Sequence, residues 1–240
     1  MKRSKIFAAN PKGVDISHHN GKIDWAKLKA AGIEFVFIKA SEGGTYQDPT
    51  FRRNWNAAKQ AGILRGAYHF FRPGVSVKAQ VDNFVAAVKN LEPGDLPPVL
   101  DAENPVLWEG LSPKASTNLC LEWMEAVQKQ LGLKPIVYAG FYFIRDTLGA
   151  DARLAPYPLW LAQYRKNAPN VPKPYSTWTF WQFTETGKID DITGNVDLNY
   201  FNGTVEQLKA STKPATAIAP KRKQRRRHRH STVRKGAVKT

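Results

Sequence analysis

The chain has 240 residues, 42% apolar and 11% aromatic, which is enough to bury a sizeable core and excludes a wholly disordered protein. Its single cysteine, Cys120, rules out an intrachain disulfide and any zinc or iron–sulfur site built on cysteines. The formal net charge of +16 is unevenly spread: Ser211 to Thr240 holds 11 Lys and Arg and no acid, leaving 25 basic against 20 acidic residues in positions 1–210.

In chain order, residues 1–12 read as an N-terminal extension. They offer only Ile6-Phe7-Ala8-Ala9 behind basic residues, so no secretory signal is expected. No apolar run approaches the roughly 20 residues that span a bilayer. From Gly13 onward, short β-branched or aromatic runs alternate with amphipathic stretches, the pattern of βα units around a parallel sheet. Strands are expected at Gly13–Ser17, Phe35–Ser41, Leu64–Phe71, Pro97–Glu103 and Pro135–Gly140, each followed by a helix. The second helix should open at Asp48-Pro49 and bury Phe51, Trp55 and Ala58, and the fourth should begin at Ser112-Pro113. Further strands are expected at Pro158–Tyr164, Trp178–Thr184 and Val196–Phe201, joined mainly by loops, since Pro169, Pro172 and Pro174 disfavour a helix in the first gap. About eight strands with helices mainly after the first five define an α/β chain folded as an irregular (β/α)-barrel over residues 13–210. A Rossmann sheet is the rival, but no glycine-rich turn follows the first strand. Residues 211–240 read as a basic disordered tail, because self-repelling charge there has nothing to bury.

Side chains alternate along a strand, so in Pro97-Pro-Val-Leu-Asp-Ala-Glu103 the carboxyls of Asp101 and Glu103 share a face, with Cα atoms roughly 6.5 Å apart. Such a pair can divide acid/base work, although Asp-x-Glu alone fits a solvated strand end just as well. Other strand ends add weight: Asp15, Lys39, Glu42, His69, Gln182 and Asp197 all interrupt apolar runs, where unpaired charge is costly. Tyr68, Phe70, Tyr138, Trp160, Trp178 and Trp181 accompany them, and rings beside carboxylates suit a sugar polymer as well as they suit core packing. No His/Asp spacing calls for a metal, and no cofactor is expected.

The run Gly13-Val-Asp-Ile-Ser-His-His-Asn-Gly-Lys-Ile-Asp-Trp25 resembles the opening of the glycoside hydrolase family 25 lysozymes, the Chalaropsis-type muramidases. The likeness continues through Phe37-Ile-Lys-Ala-Ser-Glu-Gly43, Gly66-Ala-Tyr-His-Phe-Phe71, Leu96-Pro-Pro-Val-Leu-Asp-Ala-Glu103, Phe180-Trp-Gln-Phe183 and Val196-Asp-Leu-Asn199, and covers about residues 13–201. It implies hydrolysis of the β-1,4 bond between N-acetylmuramic acid and N-acetylglucosamine in peptidoglycan, with Glu103 as general acid and Asp101, Asp15 and Asp197 as the other active-site acids. Crowded carboxylates would favour the protonated Glu103 that such a role needs. Lys39, Glu42, Tyr68, His69, Tyr138 and Gln182 are the candidates for sugar contacts.

Expected partners are peptidoglycan glycan strands and, through residues 211–240, anionic wall or envelope polymers. The tail lacks stacking aromatics, which argues against specific nucleic-acid recognition. A monomer is expected, made in the cytoplasm and reaching the wall by phage-type lysis, as an endolysin, or by a non-Sec route. The rival functions are a chitinase-like glycosidase and a non-catalytic wall-binding module.

Overall fold

A computed structural model of the 240-residue chain describes Phe7, residues 9–189 and residues 194–214. Eight strands close a barrel: β1 (Lys12–Ile16), β2 (Ile33–Glu42), β4 (Leu64–Phe70), β5 (Val99–Asp101), β6 (Ile136–Gly140), β7 (Leu159–Ala162), β8 (Phe180–Gly187) and β9 (Val196–Phe201). The two-residue β3 (Tyr46–Gln47) folds back on the end of β2 and lies outside the ring. The seven strands from β1 to β8 in the barrel run parallel, while β9 is antiparallel to both β8 and β1. Only eight residues separate β8 from β9, too few for the crossover that a parallel neighbour requires. The last strand must therefore return antiparallel, and it closes the circle.

Helices α1 (Trp25–Ala30), α2 (Phe51–Gln60), α3 (Val77–Val88) and α4 (Pro113–Leu131) follow the first four barrel strands. Ser112 caps α4 by accepting from the Ala115 amide, Pro113 occupies its first turn, and Gly132 ends it in the left-handed conformation, as the sequence suggests. The cap of α2 differs from expectation. Thr50, not Asp48, precedes its first turn, because one Asp48 oxygen accepts from the Thr50 amide and hydroxyl while the other binds His18. A full fifth helix does not form either: after β6 comes one π-helical turn, Phe143–Thr147, stopped where Gly149 and Ala150 adopt positive φ. A short α5 (Val205–Ala210) follows β9.

Strand alternation sorts the apolar residues into two layers. Outward side chains such as Val14, Ile38, Leu100, Val137 and Leu161 pack under the helices with Trp55, Phe84 and Trp123. Inward side chains Phe35, Phe37, Val99, Ile136, Trp160, Phe180 and Phe201 fill the barrel, and Leu208 of α5 plugs its strand-start end. Gly13 and Gly66 make room for this filling: a Cβ on either would fall 2.3 or 2.5 Å from the ring of Phe35 or Phe37. Close-packed rings occupy one end of the bore, which leaves the polar residues to gather at the strand-finish end.

Residues 211–214 belong to the folded body, since the Lys213 amide donates to the Asp95 carbonyl and the Lys213 carbonyl accepts from the Gly94 amide. The remainder of the expected tail, from Ala215, lies outside the described residues. At the other end, Phe7 packs edge-on against Trp178 and Trp181. No helix among the described residues is long and apolar enough to cross a membrane.

Candidate active site

Four carboxyl groups converge at the strand-finish mouth of the barrel. β1 supplies Asp15, which lies opposite Asp197 of β9 in the antiparallel register. β5 supplies Asp101 at its last position, and Glu103 follows on the same face while Ala102 turns into the outer core. All four line one cleft of about 330 Å³ together with Lys39, Tyr68, Phe70, Tyr138, Trp160 and Gln182. A larger hollow of about 500 Å³ on the flank, between Lys12, Phe183 and Tyr200, holds none of these acids.

Asp15 is tied into a chain of hydrogen bonds. Asn199 Nδ2 and Gln182 Nε2 donate to its Oδ2 at 2.7 and 3.0 Å. Trp160 Nε1 fixes Asn199 by donating to its Oδ1 at 2.8 Å, and the hydroxyls of Tyr138 and Tyr164 donate to Gln182 Oε1 at 2.8 and 3.1 Å. Asp15 and Asp197 also share a hydrogen bond between their carboxyls. Burial raises the pKa of Asp15 against the pull of these donors. Asp197 is pushed up to about 8 by burial and then by the Asp15 charge.

The second pair is differently placed. Burial, followed by the neighbouring Glu103 charge, holds Asp101 well above the usual carboxylate range, while Lys39 opposes the shift. Glu103 is also raised, first by burial and then by Asp15, again against Lys39. Burial thus outweighs the crowding of like charges, which sequence reasoning made the main cause. Asp101 Oδ1 is buried without a hydrogen-bond partner among the described residues.

The candidate sugar contacts divide. Lys39, Tyr68, Tyr138 and Gln182 line the cleft. His69 does not: it points to the outer layer, fully buried, with Nδ1 paired to Ser41 Oγ at 2.8 Å and Nε2 to Gln80 Oε1 at 3.1 Å, and stacks on Trp123 at 5.4 Å. Its neighbour Tyr68 faces the bore, and strand alternation forbids both from doing so. Glu42 stands behind the cleft wall, accepting from Lys39 Nζ at 2.6 Å and pairing with Arg72, so it holds Lys39 in place rather than facing a ligand. Trp178 and Trp181 pack on the outer surface with Phe7.

Other cleft residues escaped the sequence reading. Ser17, His19, Tyr164 and Glu185 line the mouth. Tyr164 and Glu185 lie past or near strand ends, where periodicity gives no signal. Asn199 was legible, being two residues beyond Asp197 on the same face. Among the described residues, no three or more His, Cys, Asp or Glu side chains are arranged to hold a metal ion.

A barrel with four convergent carboxyls of raised pKa at the finish of its parallel strands, flanked by tyrosines and a tryptophan, fits a carbohydrate-cleaving enzyme. Comparison with known proteins makes the class specific. The family described as Glycosyl hydrolases family 25 matches residues 14–192. Lysozyme M1 of Streptomyces globisporus is 37% identical over 205 residues, covering 82% of this chain and 70% of its own length, and the Chalaropsis N,O-diacetylmuramidase is 31% identical over 210 residues, covering 82% and 96%. The crystal structure of a lysozyme from Streptomyces coelicolor superposes with a TM-score of 0.81 at 36% identity, covering 85% of this chain and 97% of that one. The chain belongs to glycosyl hydrolase family 25 and is a glycoside hydrolase.

Proposed function

We propose that the protein is an N-acetylmuramidase that hydrolyses the β-1,4 bond between N-acetylmuramic acid and N-acetylglucosamine in bacterial peptidoglycan. The observation that carries this reading is Glu103: its carboxyl is raised in pKa by burial and by Asp15, and it stands at a cleft mouth walled by Lys39, Tyr68 and Tyr138. A carboxylic acid of raised pKa keeps its proton to higher pH and can deliver it to the glycosidic oxygen as the bond breaks. The similarity to proteins named lysozyme M1 and N,O-diacetylmuramidase supports the choice of substrate.

Asp101 is the partner acid. Its unpaired Oδ1 is an acceptor for the N–H of the 2-acetamido group on the sugar whose anomeric carbon reacts. That contact turns the amide oxygen toward the anomeric carbon, so the substrate's own acetamido group acts as nucleophile and water later opens the ring that forms. Asp15 and Asp197, both raised in pKa and hydrogen-bonded to each other, disfavour two adjacent charges on the floor of the cleft.

The test is digestion of purified peptidoglycan with mass spectrometry of the fragments. Muramic acid at the new reducing end is expected, and glucosamine there would overturn the reading. Glu103→Gln should fold and lose lysis by about a thousandfold, the scale of general-acid catalysis. NMR of the freshly released end should show retained anomeric configuration, and inversion would reject the acetamido route.

A further inference from the structure

Strand β8 carries an irregularity that changes which of its side chains enter the cleft. Residues opposite each other on antiparallel strands lie on the same face of the sheet. Gln182 pairs with Asn199, and the side-chain amides of both reach Asp15 inside the mouth. The register then shifts, and Thr184 lies opposite Leu198, which packs with the outer layer. Phe183 is thus an extra residue, a β-bulge that reverses the alternation. A second shift leaves Glu185 and Thr186 together opposite Asp197, between the Thr184–Leu198 and Gly187–Val196 pairs. In an unbroken strand Glu185, three positions after Gln182, would face away from the cleft. With one residue added it turns into the mouth, and it lines the cleft.

The cleft therefore holds a fifth carboxyl, exposed where the other four are buried or half-buried. Like charges opposite each other across antiparallel strands repel, and the repulsion falls when one of them takes a proton. Burial and then Asp15 raise the pKa of both Asp197 and Glu103, and the Glu185 charge adds to each. The Tyr164 hydroxyl, which donates to Gln182 Oε1 at 3.1 Å, lies beside the Glu185 carboxyl. The other titratable groups that share the cleft with Glu103 are Asp15 of β1, Lys39 of β2, Tyr68 of β4, Asp101 of β5, Tyr138 of β6 and Asp197 of β9, with His19 at the rim. Tyr68 and Tyr138 stay neutral, because burial pushes their pKa well above the ordinary value. Lys39 opposes the acids, but its ammonium already donates to Glu42, behind the cleft wall, at 2.6 Å.

We propose that Glu185 is a positioning residue for the proton of the reaction: aimed by the bulge at the mouth opposite Asp197, it extends the working range of the enzyme toward alkaline pH. The proposal rests on the reading of Glu103 as proton donor. A donor acts only while protonated, so kcat/KM falls as pH rises through its pKa. A neighbouring negative charge moves that fall to higher pH, and removal of the charge moves it back.

The experiment records kcat/KM on purified peptidoglycan against pH for the wild type, Glu185→Gln and Glu185→Lys, with carbon-13 NMR titration of the Glu103 and Asp197 carboxyls in the same full-length proteins. In Glu185→Gln the alkaline limb and both titrations should move down by about 0.3–0.5 pH unit, a two- to threefold loss of kcat/KM on that limb, as expected of one exposed and screened charge. Glu185→Lys should move them by about twice as much. Raising the salt to about 1 M should shrink the displacement, which a purely structural role of Glu185 would not produce. A limb at the wild-type position in folded Glu185→Lys would overturn the proposal. Wild-type fragments without muramic acid at the reducing end would overturn the muramidase reading instead. The carboxyl titrations need no substrate and would then judge Glu185 by themselves, and unmoved titrations would overturn its role too.

Discussion

Asp15 and Asp197 meet across two antiparallel strands, whereas Asp101 and Glu103 follow one another along a single strand end. In the first pair, two side-chain amides and the Asp197 carboxyl hold Asp15 in one orientation. In the second, Asp101 keeps an oxygen without a donor. The pKa of every member of both pairs is raised, yet only in the second does a buried carboxyl oxygen, Asp101 Oδ1, stand without a partner among the described residues. The difference separates a rigid electrostatic frame from groups prepared to engage a ligand. A buried orphan costs free energy in the empty protein, and a ligand donor placed against it would recover that cost.

The largest break in this comparison is expected from Asp101→Asn. The amide offers a donor where an acceptor is needed, so kcat should fall about 100- to 1000-fold with little change in melting temperature. A variant with wild-type kcat would remove Asp101 from the reaction. Next in size is Asn199→Ala, which deprives Asp15 Oδ2 of one donor and leaves Trp160 Nε1 without its acceptor. A destabilisation of about 2–3 kcal/mol is expected in denaturant unfolding, accompanied by loss of activity. Unchanged stability would show that Asn199 does not tie the frame together.

Titration sharpens the contrast further. The pKa of Asp197 is raised in the folded state to about 8, so the folded protein binds a proton that the unfolded chain has released. Its contribution to stability is full below about pH 4 and is lost as pH rises toward 8. Asp197→Asn should flatten that decline, by on the order of 5 °C in melting temperature between pH 5 and 8 once partial solvent screening is allowed for. An identical slope in the variant would mean that the proton is not held there. His69, lowered to about 4 by burial, has the opposite sign: its contribution rises with pH from 4 to about 6.5. His69→Gln is the smallest expected effect on catalysis. It should cost about 1–3 kcal/mol through the lost contacts to Ser41 and Gln80, while KM at a temperature where the variant is folded stays at the wild-type value. A raised KM would return His69 to the cleft.

The parallel strands could be read from sequence because their apolar runs are buried on both faces, and Asp101 with Glu103 because two residues on a strand share a side. The same rule, applied to Tyr68 and His69, separates them, and listing both as sugar contacts ignored it. Glu42 misled for another reason: Arg72, its partner from 30 positions further on, is invisible until β2 and β4 lie side by side. The reversal of β9 was implicit in the eight-residue gap before it, but which neighbour it would join depends on closure of the whole ring. Tyr164 lies beyond the end of β7, and Glu185 follows a register shift in β8, so strand alternation places neither.

Lys213 is fastened at Gly94 and Asp95, just ahead of β5, and its amine donates to the Leu91 carbonyl at 2.7 Å. That attachment is on the rim where the strands begin, and the four carboxyls of the cleft are on the rim where they finish. Residues 211–214 therefore lie at the rear of the barrel, opposite the four carboxyls.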